Sequence, residues 1–257
     1  MNLKNISQEV NEIVLKVGAY IKQEQGKVKS KEISDKSLNN LVSYVDKTAE
    51  KMLVENLSKI VPEAGFLTEE ETVVQSKKAL RWIIDPLDGT TNFLFGLPIY
   101  SVSVALTQDE DVLVGAVYIP ELNELFYATK NGGSFLNSQS INVSKTKTVE
   151  ASLAATGFPY YRFENMERYM TMLEKYMRTT VGVRRLGSAA VDLVYVACGR
   201  FDFYFEFNLN SWDVAAGLLI IKEAGGKTSN FEGSGSAFSG KEILASNGII
   251  HDFLLDK

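Results

Sequence analysis

Along the first sixty positions apolar residues fall at helical spacing. Ile6, Val10, Ile13, Val14, Val17 and Ile21 recur every three or four residues, which predicts an amphipathic helix. A second helix is expected from about Tyr44 to Ile60, with Val45, Met52, Leu53, Leu57 and Ile60 facing a core. Between them Gly26 to Asn40 is rich in Lys, Ser and Asn and reads as a loop. Ala64 to Leu67 and Arg81 to Ile84 are short apolar runs, the form of buried strands. Ser101 to Leu106, Val112 to Tyr118 and Glu124 to Ala128 read as a strand meander. The turn signal Asn131-Gly132-Gly133 and a short strand at Ser134 to Leu136 follow it.

The second half changes character. Helix is expected over Tyr161 to Met177, strand over Val181 to Leu186, and helix over Ser188 to Ala197. An aromatic strand runs from Phe201 to Phe205, and Ser211-Trp212-Asp213 opens an apolar helix that the Gly225-Gly226 pair ends. Gly233 to Gly240 reads as a hairpin loop, and a last helix follows Asn247. Helices and strands alternate without a clean linker. The expectation is therefore one mixed α/β (α+β) domain over 1–257, with packed subregions of approximately 1–145 and 146–257.

Length and composition narrow the class. A chain of 257 residues buries about three quarters of its unfolded surface, enough for a large core. The net charge of −5 gives no electrostatic reason to expect nucleic acid as a partner, and it suits a site that gathers carboxylates around cations. The single cysteine, Cys198, rules out an internal disulfide framework. No apolar run reaches about eighteen residues, and the N-terminus lacks the apolar stretch of a secretory signal. The expected location is the cytoplasm, with no membrane partner.

The chemistry concentrates in Trp82-Ile83-Ile84-Asp85-Pro86-Leu87-Asp88-Gly89-Thr90-Thr91-Asn92-Phe93. An apolar strand delivers Asp85, Pro86 interrupts pairing, and a sharp turn lets Asp88 converge on Asp85. Gly89 and Thr90 then offer backbone N–H groups at a helix start, a place where phosphate binds. Carboxylates beside a phosphate cradle suit Mg²⁺, which is held by a few carboxylates together with water and substrate phosphate.

This stretch resembles the first signature of the inositol monophosphatase family, D-P-[LI]-D-G-T-[TS]-N-F. The second signature, W-D-x-A-A-G with a later E-A-G-G, has its counterpart in Trp212 to Gly217 and Glu223 to Gly226. The resemblance extends through the regions of Asp46, Glu69 and Leu186 to Asp192, so it covers most of the chain. It implies a layered αβαβα sandwich of the inositol monophosphatase and sugar phosphatase type. Position by position it implies that Glu69, Asp85, Asp88, Asp213 and the Leu87 carbonyl hold metal. Glu69 and Thr90, the latter oriented by Asp46, would position the attacking water. Gly89 and Thr90 would cradle the phosphate, and Gly187, Ser188, Ala189, Glu206 and Asp213 would line the substrate. The implied activity is Mg²⁺-dependent, lithium-sensitive hydrolysis of myo-inositol 1-phosphate or a similar polyol phosphate by metal-activated water. Two or three Mg²⁺ per site and a homodimer are implied too. Fructose 1,6-bisphosphatase, NADP phosphatase, histidinol phosphatase and 3′-phosphoadenosine phosphatase share this metal core, so dual specificity stays open. A non-catalytic regulatory binding protein on the same fold is the alternative from another class.

Each residue also has a plainer reading. Asp46 and Asp213 sit in helix first turns, where acids serve as dipole partners. Glu69, Glu70 and Glu71 form a surface-like acidic run, and Glu206 reads as the end of a strand. Arg184 and Arg185 either meet a phosphate or pair at the surface. His251, the only histidine, and Cys198 read as structural. Phe95 stands where many relatives have histidine, and the segments around Lys36 and around Asn210 and Ser211 also depart from the family pattern. Those differences bear on the substrate and on a third metal rather than on the central ligands.

Overall fold

The computed structural model describes residues 1–29, 32, 34–37, 40–159 and 163–255. The chain begins with α1 (Leu3–Glu24), the small antiparallel hairpin β1 (Ser34–Ser37) and β2 (Asn40–Val42), and α2 (Tyr44–Ile60). A seven-stranded sheet follows in sequence order: β3 (Gly65–Thr68), β4 (Leu80–Asp88), β5 (Ser101–Gln108), β6 (Asp111–Ile119), β7 (Glu124–Thr129), β8 (Ser134–Leu136) and β9 (Gln139–Ser140). The one-turn helix α3 (Thr90–Leu94) connects β4 to β5. Only the β3–β4 pair is parallel; the rest is an antiparallel meander.

The second half supplies β10 (Leu153–Thr156), α4 (Met166–Thr179), β11 (Gly182–Arg184), α5 (Ala189–Ala197), β12 (Phe203–Phe207), α6 (Ser211–Glu223), β13 (Lys227–Ser229), β14 (Glu242–Ser246) and α7 (His251–Leu254). Its sheet has the order β11-β10-β12-β14-β13, parallel across β11, β10 and β12 and antiparallel beyond.

Strand alternation sorts the side chains into layers. Trp82, Ile84, Val102, Val104 and Leu106 point to one face of the large sheet, where they pack with α1 and α2. Ile83, Ala105, Val117 and Phe126 point to the other face and meet α5 and α6. The same two helices cover Tyr204, Ile243 and Ala245 of the small sheet. The opposite face of that sheet packs Phe203, Phe205 and Phe207 against Tyr169, Met172 and Tyr176 of α4 and Leu254 of α7. The result is the αβαβα sandwich that the resemblance implied.

The central helices approach their neighbours closely. A Cβ on Gly115 of β6 would stand 3.0 Å from the Ala216 carbonyl of α6, and one on Gly217 would stand 2.7 Å from Leu193 of α5. The small residues of Trp212 to Gly217 are therefore packing residues. They let α6 lie flat on the large sheet, and that sets the depth at which Asp213 enters the site.

The differences from expectation have local causes. β4 continues to Asp88, but its register with β5 shifts between Asp85 and Asp88, where Pro86 lacks an N–H to donate. Part of the Gly26 to Asn40 loop forms the β1–β2 hairpin. Glu206 lies inside β12 rather than after it, and it is buried. Helix α4 begins at Met166; the expected start at Tyr161 lies outside the described residues. Strand β10, the partner of both β11 and β12, had no sequence signal, since Leu-Ala-Ala-Thr carries little strand preference. Among the described residues no helix is long and apolar enough to cross a membrane.

Candidate active site

Four segments meet at the bulged end of β4. Asp85 is buried, and its Oδ1 accepts the Leu87 N–H at 2.9 Å, which closes the turn around Pro86. One carboxylate oxygen from each of Asp85, Asp88 and Asp213 lies within 4.8 Å of the others. Glu69 follows β3; its N–H donates to the Ile84 carbonyl at 3.2 Å and its carboxyl hydrogen-bonds Asp85.

Asp46 and Asp213 are built alike. Each is the third residue of its helix and belongs to a capping box. Asp46 Oδ2 accepts from the Ser43 N–H at 2.8 Å and the Ser43 hydroxyl at 2.7 Å, while Oδ1 accepts the Thr90 hydroxyl at 2.9 Å. Asp213 Oδ2 accepts the Asn210 N–H at 2.7 Å. The plain reading of both acids as helix-start residues is thus correct, yet each cap leaves the second oxygen for the site. The Thr90 hydroxyl also lies 3.0 Å from the Leu87 carbonyl.

Asp88 Oδ2 accepts from the Ser188 hydroxyl at 2.6 Å and the Ala190 N–H at 2.8 Å. The Ser188 side chain is therefore committed to Asp88 and to capping α5, and Gly187 and Ala189 flank it. Gly89 caps α3 with φ of +93°, a region that favours glycine. A Cβ there would stand 3.0 Å from the Ile99 carbonyl and 3.2 Å from that of Gly187, so the first signature and the 187–189 segment share one tight junction. Asn92 locks it by donating to the carbonyls of Ile99 at 2.6 Å and Leu186 at 2.9 Å.

On the inner face of the small sheet, Glu206 accepts the Tyr204 hydroxyl. Burial pushes the Glu206 carboxyl up to about 7, against the opposing pull of the Tyr204 hydrogen bond and the Arg185 charge. The same guanidinium acts on Asp88 and Asp192, and lies 5.2 Å from the centre of the Phe158 ring. Arg185 thus turns toward the site, whereas Arg184 is exposed and donates to the Val183 carbonyl. Phe95 is exposed after α3. Cys198 is held neutral by burial. Burial also lowers His251, to about 4, and the ring is clamped between the hydroxyls of Ser229 at 2.9 Å and Ser246 at 2.8 Å. Both fit their structural readings.

Sequence reasoning passed over Glu50. It is buried on α2 one turn after Asp46, and it accepts from Thr68 Oγ1 at 3.0 Å, the Glu70 N–H at 2.7 Å, and the Thr72 N–H and hydroxyl at 2.7 and 2.6 Å. This carboxylate staples both sides of Glu69. Its helical spacing from Asp46 was the available clue.

The electrostatics are unfavourable without a cation. Burial, then repulsion from Glu69, Asp88 and Asp213, pushes the Asp85 carboxyl well above its usual range. Asp213 is raised by burial and by Asp88 and Glu69. Asp88 is pushed up to about 6, mainly by burial. An all-oxygen, anionic and mutually repelling donor set of this kind fits a hard divalent cation.

A model of the "Inositol monophosphatase family" matches residues 2–257. The chain is 40% identical to an inositol-1-monophosphatase of Rhizobium meliloti, over 91% of this chain and 88% of that one. It is 37% identical to a fructose-1,6-bisphosphatase/inositol-1-monophosphatase of Aquifex aeolicus, over 99% and 95%. Among solved structures, the extragenic suppressor protein suhB of Bartonella henselae superposes with a TM-score of 0.91 at 38% identity, covering 99% of this chain and 97% of that one.

Two substitutions test this geometry. A carboxyl raised in the folded state contributes stability below its unfolded pKa of about 4, and that contribution is lost as pH rises through the folded value. In chelator at pH 8, Asp213→Asn should therefore melt higher than the parent protein, with the gap closing near pH 4; Mg²⁺ should reverse the order. A lower melting point in chelator at pH 8 would contradict the repulsion. Glu50→Ala should destabilise the fold by about 3 kcal/mol and raise the Mg²⁺ concentration needed for activity. Unchanged Mg²⁺ activation would show that Glu50 does not hold Glu69.

Proposed function

The chain belongs to the inositol monophosphatase family and is a metal-dependent phosphatase, and we propose that it hydrolyses the phosphate monoester of a small polyol, myo-inositol 1-phosphate foremost. The convergence of Asp85, Asp88 and Asp213 within 4.8 Å, beside Gly89 and Thr90, carries this reading. Mg²⁺ is the cation that the oxygen donors suit, held by Glu69, Asp85, the Leu87 carbonyl, Asp88 and Asp213, with two or three ions per site. When bound, such ions supply a lowered water pKa and neutralisation of charge on the transferring phosphoryl group.

The protein's own part is positioning and proton handling. Glu69 and the Thr90 hydroxyl hold the attacking water. The Thr90 hydroxyl donates a hydrogen bond to Asp46 Oδ1, which leaves its oxygen to accept one from the water, so Asp46 sets the direction of that hydroxyl. The backbone N–H groups of Gly89 and Thr90 bind phosphate oxygens. The attacking water passes a proton to the Glu69 carboxylate as its oxygen bonds to phosphorus and the ester P–O bond breaks; the departing polyol oxygen takes a proton from solvent water, and the hydroxide so formed is neutralised by the proton on Glu69. Gly187 and Ala189 line the polyol by their backbone, Ser188 by holding Asp88, and Glu206 and Asp213 accept from its hydroxyls.

A second reading is bisphosphatase activity in the same site, as the name of the Aquifex aeolicus relative pairs the two. The Arg185 charge beside Glu206 favours it, since it offers a cation to a second anionic group. NADP phosphatase activity is a further variant on the same ground. A purely non-catalytic role fits poorly with the retention of all four metal carboxylates. We read the chain as one domain, because α5 and α6 serve as the common filling between both sheets. Lithium sensitivity and a homodimer, which follow from the family resemblance, and a cytoplasmic location, which follows from the sequence's lack of a secretory or long apolar stretch, complete the proposal.

Phosphate release should require Mg²⁺ and fall with added Li⁺. In a panel of inositol 1-phosphate, fructose 1,6-bisphosphate, NADP⁺, histidinol phosphate and 3′-phosphoadenosine 5′-phosphate, the first should have the highest kcat/KM. A clear preference for fructose 1,6-bisphosphate would move the substrate to the second reading. No release from any compound by folded, Mg²⁺-binding protein would reject the proposed activity.

A further inference from the structure

A second concavity shares no lining residue with the carboxylate site. It is a cavity of about 470 Å³ between the first half of α1 and strands β7 and β8. Lys4, Ser7, Gln8 and Asn11 line its helix side at three- and four-residue spacing. Tyr127 and Phe135, opposite one another across the β7–β8 ladder, line its sheet side. Their rings stack at 5.3 Å with planes 18° apart.

Lys4 and Gln8 are exposed, as the outer face of such a helix requires, but Ser7 and Asn11 are not explained by folding. Neighbouring positions Ile6, Val10 and Val14 are the apolar contacts that a sheet-covering helix needs. Ser7, in contrast, is only 4% exposed, and its hydroxyl makes no hydrogen bond; nor does Asn11 Oδ1, which is also shielded from solvent. A hydroxyl placed this way weakens the fold relative to an apolar side chain of similar size.

We propose that this cavity binds a planar heteroaromatic ring carrying an anionic group, the chemistry of a nucleoside monophosphate. The ring faces the Tyr127–Phe135 pair, whose stacked surface accepts any flat π-system. Ser7, Gln8 and Asn11 supply the hydrogen bonds to its polar edge, and Lys4 the countercharge to its anion. The volume lies within the range of about 300–1,000 Å³ typical of small-molecule sites.

The test is calorimetric titration of the full chain with adenosine 5′-monophosphate in excess chelator, which removes the metal on which phosphate binding at the carboxylate site depends. Saturable one-to-one binding is expected. Ser7→Val and Asn11→Leu should each weaken it about tenfold, as the loss of a hydrogen bond predicts. Lys4→Glu should do the same, and adenosine without phosphate should bind about tenfold more weakly. Asp213→Asn should leave the affinity unchanged. Ser7→Val should also keep or raise the melting temperature, so that lost binding is not lost folding. No saturation at millimolar nucleotide, binding abolished by Asp213→Asn, binding indifferent to the cavity substitutions, or a lower melting temperature in Ser7→Val would each overturn the proposal.

Discussion

The crowding of like charges around Asp85 governs this molecule. Four carboxylates from three separate segments are brought together in or near the protein interior, where repulsion and lost hydration oppose their ionisation. Only strong scaffolding holds them there. Asp85 is fixed by the turn around Pro86, Asp88 by Ser188 and the start of α5, and Asp213 by a capping box on a helix pressed flat against the large sheet. Glu69 is fixed by the Glu50 staple on its flanking residues. The apolar layers provide the rigidity, and the carboxylates place the resulting strain where a cation relieves it.

Much of this arrangement was legible in the sequence because its causes are local. The bulged turn at Asp85 to Asp88 follows from a proline in a strand, and the tight turn into α3 from a glycine that adopts positive φ. The helices with periodic apolar faces were equally plain. Other features were hidden because their causes are tertiary. Strand β10 is a weak strand former given its conformation by β11 and β12 on either side. Glu50 looks like any solvated helix glutamate until the 68–72 segment wraps onto it. Asn92 lies inside the signature, but its work of joining the Ile99 and Leu186 carbonyls appears only when the two loops are side by side. Glu206 looked like a strand end because strand alternation does not reveal that helix α5 covers its face.

The same contrast separates reaction from substrate. The acidic cluster and the Asp46–Thr90 pair come from the two best-defined motifs and the elements they contact, and the proposed chemistry rests on them. Beside the acidic cluster lie β12, the start of α5 and Arg185, whose guanidinium influences Asp88, Asp192 and Glu206 together. Under the proposed function, the Arg185 cation among these three acids bears on how much negative charge a substrate brings to that side. Selectivity within the family is therefore expected to vary with this neighbourhood while the metal core stays fixed.

The most direct test of the central claim is anomalous diffraction from crystals soaked in Mn²⁺, an oxygen-seeking stand-in for Mg²⁺. The account predicts strong peaks among Asp85, Asp88 and Asp213, with one also touching Glu69 and the Leu87 carbonyl. Fully ordered carboxylates with no anomalous peak between them, at saturating Mn²⁺ and neutral pH, would contradict it.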